Sequence, residues 1–184
     1  MLRIESISFR KLQEDDFPLL HTWLNEPHVH EWYEKDKQNT LEEVIDDYSK
    51  DIKGEEPSTS YIALYENKPV GYMQTYKVND WPTYADAVGY DTAAAAIDAF
   101  IGNPAFMGKG FGGLMIKKFL KDVVFSEEGI TKCFIDPEPD NKRAIKSYEK
   151  VGFRYIKTLQ IQGEPELAYL MEIKKEDLKI EQQG

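Results

Sequence analysis

Four glycines fall within six residues, Gly108, Gly110, Gly112 and Gly113, inside the stretch "NPAFMGKGFGGLMIKKFL". Behind them Met115, Phe119 and Val123 form one apolar row and Ile116, Leu120 and Val124 another, with Lys117, Lys118, Lys121 and Asp122 opposite. That pattern is an amphipathic helix. Several unpaired backbone N–H groups at a helix start, approached closely because glycine has no side chain, make a cradle for an anion such as a phosphate. The residues around the cradle limit which phosphate it takes. A nucleotide P-loop needs G-x-x-x-x-G-K-[ST], whereas Lys109 lies between glycines and no Ser or Thr follows. Gly108, Gly110 and Gly113 do spell the dinucleotide fingerprint G-x-G-x-x-G. A dinucleotide fold, however, needs that turn on the first strand of a long parallel sheet, and here only about seventy residues follow it.

Two further residues have types suited to proton transfer. Asp98 interrupts the apolar run "AAIDAFI", where a carboxylate is expensive to bury without a partner. Facing a cleft, it can grip an ammonium group and help remove its proton; on an edge strand it would simply face solvent. Tyr148, in "DNKRAIKSYEKVGF", could donate a phenolic proton, or could be a core tyrosine continuing the row of Ala144. Cys133 lies inside the apolar run "TKCFI" and reads as a small buried hydrophobe. The "HVHE" segment, His28 to Glu31, holds metal-type side chains without the helical H-E-x-x-H spacing, and no metal site is expected.

These residues must be positioned by an α/β order. Residues 3–11 read as a first strand, followed by a helix begun at Asp15 or Asp16 with Phe17, Leu20, Trp23 and Leu24 on its apolar face. Thr40-Leu41-Glu42-Glu43 is a capping box, opening a second helix through Val44, Ile45, Tyr48 and Ile52. "STSYIALYENKPVGYMQTYKV" is a hairpin turning at Glu66–Lys68, and "NDWPTYADAVGYDT" reads as a loop. Residues 94–101 give a strand, the glycine-led helix follows, and "TKCFI" gives a buried strand. Asp140 is a natural cap for a helix ending at Gly152, and strands near 154–161 and 166–173 close the order. No linker or repeat divides residues 1–184, so one domain with a mixed sheet is expected, loose beyond about residue 176.

The 184 residues carry a net charge of −10. The charge is uneven: the first hundred residues hold 9 Lys/Arg against 20 Asp/Glu, the remainder 14 against 13. So acidic a chain is unsuited to general nucleic-acid binding, and its first half suits a cationic partner. A single cysteine excludes an internal disulfide, and no apolar run reaches the length of a membrane span. The start, "MLRIESISFRKLQEDD", lacks a secretory layout, so the expected compartment is the cytoplasm.

Met107-Gly108-Lys109-Gly110-Phe111-Gly112 resembles the R/Q-x-x-G-x-G/A pyrophosphate loop of the GCN5-related N-acetyltransferase (GNAT) superfamily, with Met107 where Arg or Gln is usual. Asp140–Phe153 resembles that superfamily's N-x-x-A-x-x-x-Y-x-x-x-G-F signature. The segments "LHTWLNEPHVHEWYEK", "YIALYENKPVGYMQTYKVNDW", "AIDAFIGNPAFMGKGFG" and "IDPEPDNKRAIKSYEKVGFRY" are together similar to aminoglycoside 6'-N-acetyltransferases, over roughly residues 5–172. The resemblance implies a single GNAT domain with a mixed, mostly antiparallel, splayed sheet flanked by helices. It implies transfer of acetyl from acetyl-CoA, without a metal, to the 6'-amino group of a cationic aminosugar by direct attack in a ternary complex. Related members acylate protein N-termini or siderophore and hydroxylysine-type amines.

By the same resemblance Tyr148 protonates the leaving thiolate and Asp98 handles the amine. Met107 to Gly113 cradle the pyrophosphate, while the Phe100–Ile101 backbone and Asn141 meet the coenzyme arm. Asp80, Asp136 and Asp98 would ring the cationic sugar, with Trp32, Tyr33 and Trp81 as stacking faces. Asn141 as a helix cap, Asp136 as a turn-former and the aromatics as core residues are the plain structural alternatives. A monomer or a homodimer would serve.

Overall fold

The computed structural model describes residues 2–35 and 37–180. Seven strands form one mixed sheet: β1 (Ile7–Lys11), β2 (Ser58–Tyr65), β3 (Lys68–Lys77), β4 (Ala94–Ile101), β5 (Lys132–Ile135), β6 (Arg154–Gln160) and β7 (Leu167–Lys174). Their order is β1-β2-β3-β4-β5-β7-β6. The helices are α1 (Phe17–Leu24), α2 (Pro27–His30), α3 (Leu41–Lys53), α4 (Pro82–Val88), α5 (Phe111–Asp122) and α6 (Lys142–Val151). The pairs β1/β2, β5/β7 and β6/β7 are antiparallel, and β4/β5 is parallel. The chain divides into two compact units, Met1–Thr75 with Asp98–Phe111, and Tyr76–Ile97 with Gly112–Gly184.

In the first unit β1 lies against β2 from Ile7↔Tyr65 to Lys11↔Tyr61. Glu66 and Asn67 turn the chain into β3 with φ of 49° and 61°, the doubly left-handed conformation of a two-residue hairpin turn. Helix α3 starts where the capping box requires: Thr40 Oγ1 accepts from Glu43 N–H at 3.2 Å, and the Glu43 carboxylate accepts from Thr40 N–H at 2.8 Å. Leu20, Leu24, Val44, Tyr48, Ile62, Tyr72 and Phe100 build the core of this unit. Beside it, Asp16 stands at the N-cap position of α1, as the sequence suggests, but its carboxylate makes no cap bond to the helix. Its carboxylate accepts two hydrogen bonds from the Arg10 guanidinium, at 2.6 and 2.7 Å, and one from Gln13 N–H at 2.9 Å.

The second unit holds the parallel register Ala94↔Lys132 to Ala96↔Phe134 and the antiparallel strands beyond it. Small alanines at 94 and 96 let β4 lie under Phe134, Ala168 and Leu170 in one core cluster, which is how an alanine-rich segment becomes a strand. The segment expected to be a loop contains a 3₁₀ turn, Val78–Asp80, and then α4. Buried Tyr84 and Ala85 explain it, because a packed apolar face overrides weak local propensity. Two other boundaries differ from expectation. The first strand is only Ile7–Lys11, preceded by a 3₁₀ turn at Ile4–Ser6, and α2 was not anticipated at all. The expected loose tail begins with a 3₁₀ turn, Lys175–Asp177, and residues 181–184 lie outside the described residues.

The Arg10–Asp16 pair makes stability depend on pH. Burial pushes the Asp16 pKa up, but the Arg10 hydrogen bonds and charge and the Gln13 N–H outweigh it, so the net shift is downward. A carboxylate with a folded pKa below its unfolded value stabilises above the unfolded value and loses that contribution as pH falls through the folded one. Asp16→Asn should lower unfolding free energy by about 1–3 kcal/mol at neutral pH, measured by urea titration. It should also flatten the fall in stability of the wild type as pH drops below about 4.

Candidate active site

In the first unit β4 carries Asp98 and Phe100, two residues apart and therefore on one face of the strand. β4 lies between β3 and β5 in the strand order, and Asp98, half-buried, stands two residues past the last β4/β5 pair, Ala96↔Phe134. Phe100 stacks on Tyr72 with centroids 5.1 Å apart and an interplanar angle of 20°, and meets Tyr33 edge-on at 5.0 Å. Tyr33 in turn lies edge-on to Tyr72 at 6.3 Å, and Tyr48 to Tyr72 at 5.5 Å. Tyr33 is thus part of the packed aromatic wall while remaining half exposed, and Trp32 beside it is half-buried.

The phenols of this wall are tied to carboxylates. Tyr48 donates to Glu34 Oε1 at 3.1 Å, and Tyr33 hydrogen-bonds Tyr48. Tyr72 meets Ser60 Oγ at 2.7 Å, and Asp51 accepts from Ser58, Ser60 and Gln74. Since Ser60 has one hydroxyl proton and gives it to Asp51, Tyr72 must be the donor to Ser60. Burial, foremost, drives the pKa of Tyr33, Tyr48 and Tyr72 well above the ordinary phenol value, and nearby negative charge, with Asp98 among the sources for Tyr33 and Tyr72, adds to it. These phenols stay protonated. They form a fixed, uncharged wall in reach of the Asp98 charge.

The glycine loop follows β4. Asn103 Oδ1 accepts from Ala105 N–H at 3.0 Å and opens a 3₁₀ turn, Pro104–Phe106. Gly108 and Gly110 then take φ of 72° and 76° and feed the chain into α5 at Phe111. An added Cβ at Gly110 would meet nothing within 4 Å, so the space in front of this backbone is open. The Phe111 ring is fully buried, 4.7 Å from Phe106 and 5.8 Å from Tyr65, and so anchors the helix start by its side chain. Only its backbone faces the loop's opening. Lys109 is exposed and Met107 half-buried. Left-handed glycines, open space and the free first-turn N–H groups of an α-helix fit a pyrophosphate. The loop offers no acidic or imidazole side chain to hold a metal.

The second unit holds the other expected residues. Gly112 and Gly113 lie in the first turn of α5, and Tyr148 lies on α6, half-buried, its ring 6.2 Å from Phe153. Asn141, not Asp140, caps α6: its Oδ1 accepts from Ala144 N–H at 3.1 Å. That bond occupies the carbonyl end of the Asn141 amide. Asp136 follows β5 and is half-buried, while Asp80 is exposed on the 3₁₀ turn before α4. Trp81 packs edge-on to Tyr76 at 5.9 Å beside the core cluster, in keeping with its reading as a packed aromatic. Cys133 is fully buried, and no metal-type cluster of His, Cys, Asp or Glu exists among the described residues.

Tyr72, Glu34 and Asp51 are dispersed in the chain and carry no motif, and Tyr48 shows in the sequence only as part of a helix face. His28 stands among metal-type side chains in the sequence, whereas its Nε2 lies 2.8 Å from the carbonyl oxygen of Ile101.

An acetyltransferase (GNAT) domain model matches residues 13–161, most of the chain and all of the glycine loop and α6. The chain belongs to the GNAT family. It is 33% identical over 150 residues to the aminoglycoside N(6')-acetyltransferase type 1 of Klebsiella pneumoniae, covering 81% of this chain and 74% of that protein; the enzyme of the same name from Serratia marcescens matches equally. Among solved structures it is similar to the aminoglycoside acetyltransferase AAC(6')-Ib in complex with coenzyme A, with a TM-score of 0.83, 30% identity, and 94% of this chain and 96% of that chain covered. The same enzyme with paromomycin and acetyl-CoA superposes with a TM-score of 0.84, covering 94% of this chain and 95% of that chain at 30% identity.

Left-handed backbone at Gly110 generates a direct test. An Ala there costs about 1–2 kcal/mol of local strain and turns the loop's donors. Gly110→Ala should raise the KM for acetyl-CoA by about ten-fold while kcat changes less. Gly54→Ala, also left-handed at φ 69° with open space around it but at the end of α3, should leave that KM unchanged.

Proposed function

We propose that this GNAT acetyltransferase transfers the acetyl group of acetyl-CoA to the 6'-amino group of an aminoglycoside, by direct attack of the amine in a ternary complex. The observation that carries the proposal is a carboxylate, Asp98, on an interior strand beside a wall of protonated phenols. Such a carboxylate gains most from a cationic partner, and the acidic first half of the chain draws one in. Kinship with aminoglycoside 6'-N-acetyltransferases over most of the chain supports the choice among cationic amines.

In this reading residues 1–184 work as one acetyltransferase domain. Acetyl-CoA supplies an activated acyl group as a thioester. Backbone N–H groups from Met107 to Gly113 hold its pyrophosphate, the Phe100–Ile101 backbone pairs with its arm, and the Asn141 amide contacts that arm with its NH₂ end. Asp98 holds the acceptor ammonium and takes up its proton, directly or through water, so that the neutral amine attacks. Tyr148 delivers a proton to the departing thiolate. The Tyr33 ring, with Trp32 and Trp81, gives the sugar rings faces to lie on, and Asp80 and Asp136 bind further ammonium groups.

Release of free thiol from acetyl-CoA, followed spectrophotometrically, should rise well above background when kanamycin is added. Turnover of a peptide N-terminus or of hydroxylysine, with none for kanamycin, would overturn the substrate assignment. Asp98→Asn and Tyr148→Phe should each cut kcat by about ten-fold or more, and unchanged turnover in both would overturn their roles.

A further inference from the structure

At the end of β4 the backbone is held in an unusual way. The N–H groups of Gly102 and Asn103 both donate to one carbonyl, that of Val70 on β3, at 3.0 and 3.1 Å. Across a trans peptide the carbonyl points opposite to the following N–H. The Ile101 carbonyl therefore points away from β3. The parallel ladder to β5 has its register at Ala94–Ala96, so Ile101 lies beyond those strand pairs. The donor that meets its carbonyl is a side chain 73 residues away, His28 Nε2 at 2.8 Å.

The supporting parts make this contact a fixed one. Pro27 starts α2 and Val29 is 2% exposed, which pins the short helix that presents the ring. Trp23 packs closely on the backbone that follows: a Cβ on Gly102 would fall 2.0 Å from its indole. A carbonyl only accepts, so Nε2 carries the proton and Nδ1 holds the lone pair in the neutral ring. The same bond survives protonation of the ring, since both nitrogens then donate.

We infer that His28 is a positioning residue for the acyl donor: it fixes the Ile101 carbonyl and the end of β4, the backbone against which the coenzyme arm lies. The inference rests on the acetyl-CoA reading above. A carbonyl oxygen has two lone pairs, so the oxygen anchored by His28 keeps one for an amide N–H of the arm. Without the imidazole, the peptide joining Ile101 and Gly102 is held only from its N–H side by Val70, and the arm loses a firmly aimed acceptor. His28 acts through Ile101 and needs no contact with the reacting atoms.

The test is equilibrium binding of coenzyme A by titration calorimetry to the full chain, with acetyl-CoA kinetics alongside. His28→Ala should weaken coenzyme A binding by about three- to ten-fold, the loss of one hydrogen bond's worth of positioning. KM for acetyl-CoA should rise by a similar factor, with KM for the amine unchanged. His28→Gln, which keeps a side-chain N–H donor, should recover most of the loss at equal thermal stability. In ¹⁵N-labelled protein, His28 should show the Nε2–H tautomer, with its ring shifts moving on addition of coenzyme A. Wild-type coenzyme A affinity in His28→Ala would overturn the inference, as would a Gln variant as weak as the Ala variant. Failure of the wild type itself to bind coenzyme A would instead overturn the acetyl-CoA reading.

Discussion

Asp98 sits in an otherwise apolar run of β4, beside the aromatic wall that forms much of the core of the first unit. A carboxylate in such a place is costly unless it is hydrogen-bonded or meets a cation. The neighbouring phenols carry no charge: Tyr33, Tyr48 and Tyr72 stay protonated, and their hydrogen-bond chains end on Glu34 and Asp51. The wall is polar in its hydroxyls and rigid in its rings. The proposed acceptor, a sugar carrying ammonium groups, brings the positive charge that none of these phenols and carboxylates carries.

The remaining features read as ways of fixing backbone. Phe111 buries its ring against Phe106 and Tyr65 and so anchors the start of α5, leaving two left-handed glycines to shape the loop ahead of it. Trp23 closes on Gly102, Val70 takes two N–H groups, and His28 takes the carbonyl between β4 and the loop. Strand end, loop and helix start thus follow one another without slack. Preorganisation of this kind is what a transfer reaction draws on, since the acyl donor then meets groups already in place.

Much of this was legible in the sequence, for physical reasons that differ by element. The capping box at Thr40, the apolar rows behind the glycines as far as Leu120 and the turn expected at Glu66–Lys68 are local signals; the helix ends at Asp122, before Val123 and Val124, and the turn itself is Glu66 and Asn67, with Lys68 already in β3. Ala94–Ile101 was legible as a strand only through its apolar density, because alanine itself argues for a helix. Helix α4 was missed: Asp, Pro and Gly suggested a loop, although Pro82 at a helix start and Gly89 just past its end mark both of its boundaries. The cap of α6 was placed one residue early, at Asp140, since both Asp and Asn have the right chemistry and only geometry chooses Asn141. The tyrosine wall was invisible because residues 33, 48, 72 and 100 share no spacing, and long-range contact leaves no local trace. The proposed site residues rest on two motifs, one charge in an apolar run and a family resemblance, while the contact of His28 with a backbone atom leaves no pattern to read.

The claim at the centre of this account is that the acceptor is a polycationic aminosugar attacked at one amine. Its most direct measurement is the structure of the product formed from kanamycin and acetyl-CoA, by mass spectrometry and two-dimensional NMR. The account predicts a single added acetyl group, borne by the 6' nitrogen. An acetyl group on a different nitrogen, or no acetylated product from an enzyme that turns over a peptide amine, would contradict it.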